Sequence, residues 1–211
     1  MTRKGFFFFF SPRYGVIPLG RRYNTSMNIR TLTPADLPAI RVVSRKASLH
    51  QDRTPEQWAL AALKYVDYYP CHAGDTSLAL ELEDGSFAGY VLCAPDADAY
   101  FQTMEQEYRP QIETLSPGSY ASFLEAQSYI REFAREYPAH LHINVVPEAQ
   151  NLRAGSRLMQ ALLKRLKEKG IPGVCLGVDS SRKQAVHFYE KNGFTVLRDA
   201  GDTLFMGRRT D

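Results

Sequence analysis

At 211 residues the chain is long enough for one large domain and too short for two full ones. Hydrophobic residues at 44% and charged residues at 23% exclude wholesale disorder, and no run approaches the roughly 18 apolar residues of a membrane helix. Residues 1–26 hold Arg3, Lys4, Arg13, Arg21, Arg22 and no acid; taking those five from 26 basic residues leaves 21 against 23 acidic ones, so the body is mildly acidic and nucleic-acid binding loses its electrostatic support.

In chain order, residues 1–26 stand apart as a leader, basic and hydroxyl-bearing, expected to be disordered. They fit a mitochondrial presequence, while Met27-Asn28-Ile29-Arg30 equally offers a clean translation start that would make them a gene-model artefact. The single folded domain is therefore expected over 27–211. The expected compartment is the cytoplasm, or the mitochondrial matrix if the leader is translated and read. Asn28–Leu32 reads as a strand, and Thr33-Pro34-Ala35-Asp36 opens a helix to about His50. Thr54-Pro55-Glu56-Gln57 is a capping box, opening a helix through Tyr69 that Pro70 and Gly74 stop. Thr76–Glu83 and Phe87–Ala94 flank Asp84-Gly85 as a hairpin. Ala97–Tyr137 is helical with a break at Ser116-Pro117-Gly118, and the tyrosines and phenylalanines between Tyr65 and Tyr137 suit a core better than a substrate cage. His140–Val146 is a strand, 151–169 a helix closed by Gly170, and Val174–Val178 a strand. Ser181-x-x-Gln184 caps a helix ending at Asn192-Gly193, and Thr195–Leu197 and Thr203–Met206 are the last strands. A hairpin followed later by β-α-β-α-β implies an α/β fold: a mixed sheet, helices on both faces, and a helical insertion before the His140 strand.

The chemistry concentrates in residues 139–194. The His140 strand leads through Pro147-Glu148-Ala149 into Gln150-Asn151-Leu152-Arg153-Ala154-Gly155-Ser156-Arg157, the start of a helix whose free N–H groups can cradle a pyrophosphate. Alone this is weak, since one glycine in such a turn is commonly there for packing. After the next strand comes Ser181-x-x-x-Ala185-x-x-Phe188-Tyr189-x-x-x-Gly193-Phe194. Cys71, Cys93 and Cys175 are scattered and odd in number, without metal spacing, so neither a zinc site nor a disulfide framework is expected.

Together these segments resemble the GNAT superfamily of acetyl-CoA-dependent N-acetyltransferases, whose phosphate loop reads Gln/Arg-x-x-Gly-x-Gly/Ala and whose later helix reads Asn-x-x-Ala-x-x-Phe-Tyr-x-x-x-Gly-Phe. His140-Leu141-His142-Ile143, with Gly89-Tyr90-Val91 and Pro95-Asp96, further resembles one branch: the acetyltransferase-like region of O-GlcNAc hydrolases and its stand-alone microbial relatives. The resemblance implies a GNAT fold, acetyl-CoA as co-substrate without metal, and an amine acceptor attacking directly, with no nucleic-acid or membrane partner. Acceptor identity and oligomeric state are left open. By position, Val145 and Val146 would supply a backbone N–H to the thioester oxygen, and Gln150, Asn151, Leu152, Arg153, Ala154, Gly155, Ser156 and Arg157 would hold the pyrophosphate. Tyr189 would be the general acid, although a tyrosine packed beside Phe188 is also ordinary core.

His140, His142 and Asn144 alternate onto one strand face, so His142 is a candidate base with Asn144 beside it, and His140 and Asp96 are candidates for holding the acceptor. Ordinary strand histidines and a turn-forming aspartate are the plainer readings. Three residues depart from the pattern: Arg153 replaces its first glycine, Arg182 its asparagine, and Asn144 the branch's aspartate. Arg153 adds both a Cβ where backbone must approach the ligand and a guanidinium that can pair with phosphate. The departures motivate an alternative, a non-catalytic binding module of the same fold.

Overall fold

The structure is a computed structural model that describes residues 27–211 except Leu49 and Asn151; the leader therefore lies outside the described residues. Seven strands form one mixed sheet in the order β1-β2-β3-β4-β5-β7-β6. They are β1 (Asn28–Thr31), β2 (Leu78–Glu81), β3 (Phe87–Ala94), β4 (Ala139–Val145), β5 (Gly173–Asp179), β6 (Thr195–Asp199) and β7 (Thr203–Arg209). β1 to β4 run antiparallel in succession, β4 and β5 are parallel, and β7 lies antiparallel between β5 and β6. The α/β architecture with a helical insertion thus stands as the sequence implies.

The helices are α1 (Leu37–Ala47), α2 (Pro55–Tyr65), α3 (Tyr68–His72), α4 (Ala97–Thr103), α5 (Arg109–Leu115), α6 (Ser119–Ala126), α7 (Ser128–Phe133), α8 (Pro147–Gln150), α9 (Ala154–Glu168) and α10 (Lys183–Lys191). A π turn, Met104–Tyr108, joins α4 to α5. None of the described helices is long and apolar enough to cross a membrane. α9 packs on β2, β3 and β4, burying Leu158, Met159, Leu162 and Leu166 at helical spacing. α1 crosses β3 and β4, burying Ile40 and Val43.

Several boundaries differ from the pattern, each for a local reason. α1 stops at Ala47 because Ser48 is extended (φ −75°, ψ 145°). The expected helix to Tyr69 divides at Val66 (φ −132°), and Pro70 sits inside the short α3, where its missing N–H falls in an unpaired first turn. β2 is shorter than Thr76–Glu83 because the Thr76 and Ser77 hydroxyls turn inward to the Cys93 carbonyl (2.7 and 3.4 Å). α9 begins at Ala154, after a left-handed Arg153. Ser181 does not cap α10; its N–H donates to Asp179 Oδ1 (2.8 Å) and Arg182 takes the cap position. The predicted Thr54 capping box forms as drawn, with Gln57 N–H donating to Thr54 Oγ1 and Gln57 Oε1 accepting from Thr54 N–H. Gly85 (φ 78°) makes the hairpin turn.

Candidate active site

The sheet is opened at one place. β4 and β5 pair only at Ala139↔Val174 and His140↔Cys175, then separate, so the rest of β4 offers one edge to a gap. A cavity of about 760 Å³ occupies it, within the range of small-molecule and cofactor sites. Ile143 and Val145 of β4, Gln150, Arg153, Gly155 and Ser156 from the start of α9, and the Ser181–Ala185 turn with Phe188 and Tyr189 of α10 line it.

Backbone polarity around the gap follows from the β3–β4 ladder. Val146 N–H donates to Ala88 O (2.9 Å), and Val146 O accepts from Ala149 N–H, so neither group is available to a ligand. Antiparallel alternation turns the Val145 N–H the other way, toward the gap. Of the two valines named from sequence, Val145 is the one placed to donate. Gln150 Nε2 donates to Val145 O (3.3 Å), tying the following loop to the strand end.

The first helical bond of α9 runs from Arg157 N–H to Arg153 O, which leaves the Ala154, Gly155 and Ser156 amides pointing out of the helix end. Gly155 is a packing requirement as well: a Cβ there would lie 3.3 Å from Phe188 Cε2. Arg153 adopts φ 58°, ψ 21°, the only positive φ among described non-glycine residues. The backbone thus takes a left-handed conformation that favours glycine, at roughly 1–2 kcal/mol of local strain, and the exposed Arg153 side chain lines the cavity. Arg182 and Lys183 add positive charge to the same rim. Arg157 Nη2 instead reaches Met27 O (3.4 Å), while Ala154 is fully buried and Leu152 packs on the core. Asn151 lies outside the described residues.

Tyr189 is buried to 9% exposure against Phe188 and Phe194, with ring centroids 5.3 and 5.7 Å away. Burial pushes its phenol up to about 12, with Arg182 pulling weakly the other way, so the hydroxyl keeps its proton at neutral pH.

His140, His142 and Asn144 share the opposite face of β4, as the alternation predicts, but their surroundings differ. His140 is 0% exposed, its Nε2 hydrogen-bonded to Tyr69 OH (3.0 Å) and its ring 4.4 Å from that of Tyr100. It offers no surface to an acceptor. His142 is half-buried with Tyr65 and Tyr69 edge-on at 6.2 and 5.6 Å, and its enclosed Nε2 has no partner among the described residues. Burial lowers its imidazole to about 4 and holds His140 well below the ordinary value, so both are neutral at pH 7. Asn144 Nδ2 donates to Tyr90 OH (2.7 Å), its cross-strand partner. Asp96 is a helix cap, its Oδ1 accepting from Ala99 N–H (2.8 Å). Among the described residues no cluster of His, Cys, Asp and Glu is placed to hold a metal.

Sequence reading missed Ser181, Lys183 and Gln184 as lining residues, and Tyr65 and Tyr69 as the walls around His142. The Ser181–Ala185 spacing carried a signal for the first group; tyrosines far away in the chain carried none for the second.

Comparison with known proteins agrees with this geometry. The Acetyltransferase (GNAT) family profile matches residues 45–194. A mycothiol acetyltransferase of Thermomonospora curvata is 40% identical over 63 residues, covering 30% of this chain. The match spans only 20% of that relative's own length. Among solved structures, SsHAT superposes with a TM-score of 0.78 at 23% identity, covering 88% of this chain and 99% of that one. The yncA protein of Salmonella typhimurium, solved with its cofactor acetyl-CoA, gives a TM-score of 0.53 at 21% identity over 88% of this chain and 95% of its own. An opened β4–β5 pair, a helix end facing the gap and a match over most of the sequence converge, and the chain belongs to the GNAT acetyltransferase family.

Proposed function

We propose that the protein is an acetyl-CoA-dependent N-acetyltransferase that passes its acetyl group to a primary amine by direct attack. The observation that carries this reading is the short β4–β5 ladder, which opens into a cavity with unpaired helix-end amides at one side and a protonated phenol at the other. Acetyl-CoA would supply an activated thioester in that gap. The amides of Ala154, Gly155 and Ser156 and the Arg153 guanidinium suit its pyrophosphate. The Val145 N–H suits the thioester carbonyl oxygen, whose charge grows as the nitrogen–carbon bond forms. The carbon–sulfur bond then breaks, and the Tyr189 hydroxyl gives its proton to the departing sulfur.

The nitrogen must also lose a proton. Asn144 cannot take it, because an amide is not a base near neutrality and its Nδ2 is engaged with Tyr90. His142 is the better acceptor: its imidazole is uncharged and, unlike His140, it keeps part of its surface exposed. Weak basicity suits the proton shed during attack, which is far more acidic than that of a free ammonium. Within the family we place the chain on the branch of O-GlcNAc hydrolase acetyltransferase-like regions and their stand-alone relatives. His142 and Tyr90, which belong to the segments that carry that resemblance, support it by lying on one face of β3 and β4, with Asn144 between them in place of the branch's aspartate.

Titration calorimetry of acetyl-CoA against the full chain, followed by thiol release with a panel of primary amines, tests the proposal. Saturable binding with acceptor-dependent thiol release is expected. No binding would replace it with the non-catalytic module.

A further inference from the structure

We propose that the groove between α1 and α2 binds an acidic side chain of a peptide acceptor, three or four residues from the amine that is acetylated. The amine's fate rests on the N-acetyltransferase reading; the groove's preference is read separately below. The groove, about 70 Å³, is lined by Arg41, Ser44 and Arg45 of α1, by Trp58 and Ala62 along α2, and by Val66 just after it. That volume admits several water-sized groups, which suits a carboxylate.

Its charge is unbalanced. Arg41 is occupied by Asp67, with bonds of 2.9 and 2.6 Å. Arg45 and Arg53 instead hold their guanidinium carbons 5.7 and 5.0 Å from the centroid of the Trp58 ring, and among the described residues neither has a carboxylate partner. Arg45 lines the groove and Arg53 shares its half-buried ring from outside that lining, so an anion in the groove is attracted by both charges. The folded body is otherwise mildly acidic, so this cationic patch does not reflect a basic surface in general.

The groove is joined to the acceptor side of β4 by two routes. Ser44 lies close enough to Tyr90 to hold its phenol down against the upward push of burial, and Tyr90 OH accepts from Asn144 (2.7 Å). At the other end of α2, Tyr65 packs edge-on to His142 (6.2 Å), and Arg53 lies close enough to oppose the upward push of burial on the Tyr65 phenol. From Trp58 to Tyr65 the helix rises about 10 Å, and an extended peptide covers that in about three residues. An amine at His142 therefore places the third or fourth side chain of its peptide at the arginine pair.

Trp58 is the only tryptophan in the chain, so its emission reports groove occupancy independently of catalysis. The probes are Ala-Gly-Glu-Glu-amide and its Gln-Gln counterpart, both with free N-terminal amines. Titrated into the full chain, the acidic peptide should shift Trp58 emission saturably and bind more weakly as salt rises. The Gln-Gln peptide should bind roughly tenfold more weakly or worse. The double variant Arg45→Glu/Arg53→Glu should lose the preference. Equal affinities for the two peptides, or no emission change with the acidic one, would overturn the proposal, and this comparison needs no variant to fold. Acetyl-CoA calorimetry on the same samples shows separately whether the N-acetyltransferase reading stands.

Discussion

Tyr189 and His142 are opposite cases of one cause, removal from water. Burial favours the neutral form of each, which means a protonated phenol and an unprotonated imidazole, the states that a proton donor and a proton acceptor need. Tyr189→Phe keeps the ring between Phe188 and Phe194 and removes only the hydroxyl. Turnover should fall by about 10²–10⁴ while acetyl-CoA affinity, read by calorimetry, changes little. The histidines also make stability pH-dependent. Above pH 6.5 folded and unfolded chains both hold neutral imidazoles, so the pair contributes no pH dependence. Below it the unfolded chain takes protons that the folded chain refuses, and stability declines as pH falls toward about 4, where folded His142 is itself protonated. Urea unfolding at pH 7 and pH 5 should show this loss. His142→Gln should lessen the slope by up to about 1.4 kcal/mol per pH unit.

At the scale of elements, the turn from β4 into α9 holds the most specific departure from family pattern, Arg153. Its left-handed backbone favours glycine, while its side chain lines the cavity. These two effects can be separated. Arg153→Ala keeps the unfavourable φ and removes the charge, whereas Arg153→Gly removes both. By thermal unfolding Arg153→Gly should be more stable than Arg153→Ala by about 1 kcal/mol. Arg153→Glu should weaken CoA binding by more than about 1.4 kcal/mol, a factor of ten, and Arg153→Gly by less. The same turn shows what could be read in advance. Periodicity, the capping box and the Gln150–Gly155 and Phe188–Phe194 spacings are local, and they gave the order of elements along the chain and both walls of the cavity. Seeing that β4 leaves β5 after His140, or that the Val146 N–H is consumed by Ala88, requires knowing which strands pair. No local pattern encodes that. His140 looked like a site residue for the same reason: strand alternation gives its face, but only Tyr69 and Tyr100, distant in sequence, seal it from solvent.

At the scale of the whole molecule, the question is where the folded unit begins. Met27 is already 8% exposed and its carbonyl accepts from Arg157, so the first described residue is packed. β1 starts at Asn28, paired with Glu81 of β2, and closes one edge of the sheet. Immediately after it, Arg30 donates to both Asp36 and Glu81, and Leu32 is buried at 3%. A chain beginning at Met27 should therefore melt within about two degrees of the full chain, since substitutions away from packed features change stability little. A chain beginning at Thr33 should behave differently. It loses the edge strand, the buried Leu32 and Arg30, so Asp36 and Glu81 are left without that partner, and the edge of β2 is left unpaired. Losing one buried leucine alone costs about 2–5 kcal/mol, which for a domain of this size is several degrees before the strand is counted. Thermal melts of the three chains decide the boundary: if removing residues 1–26 lowers the melting temperature as much as removing residues 1–32, the domain begins upstream of Met27.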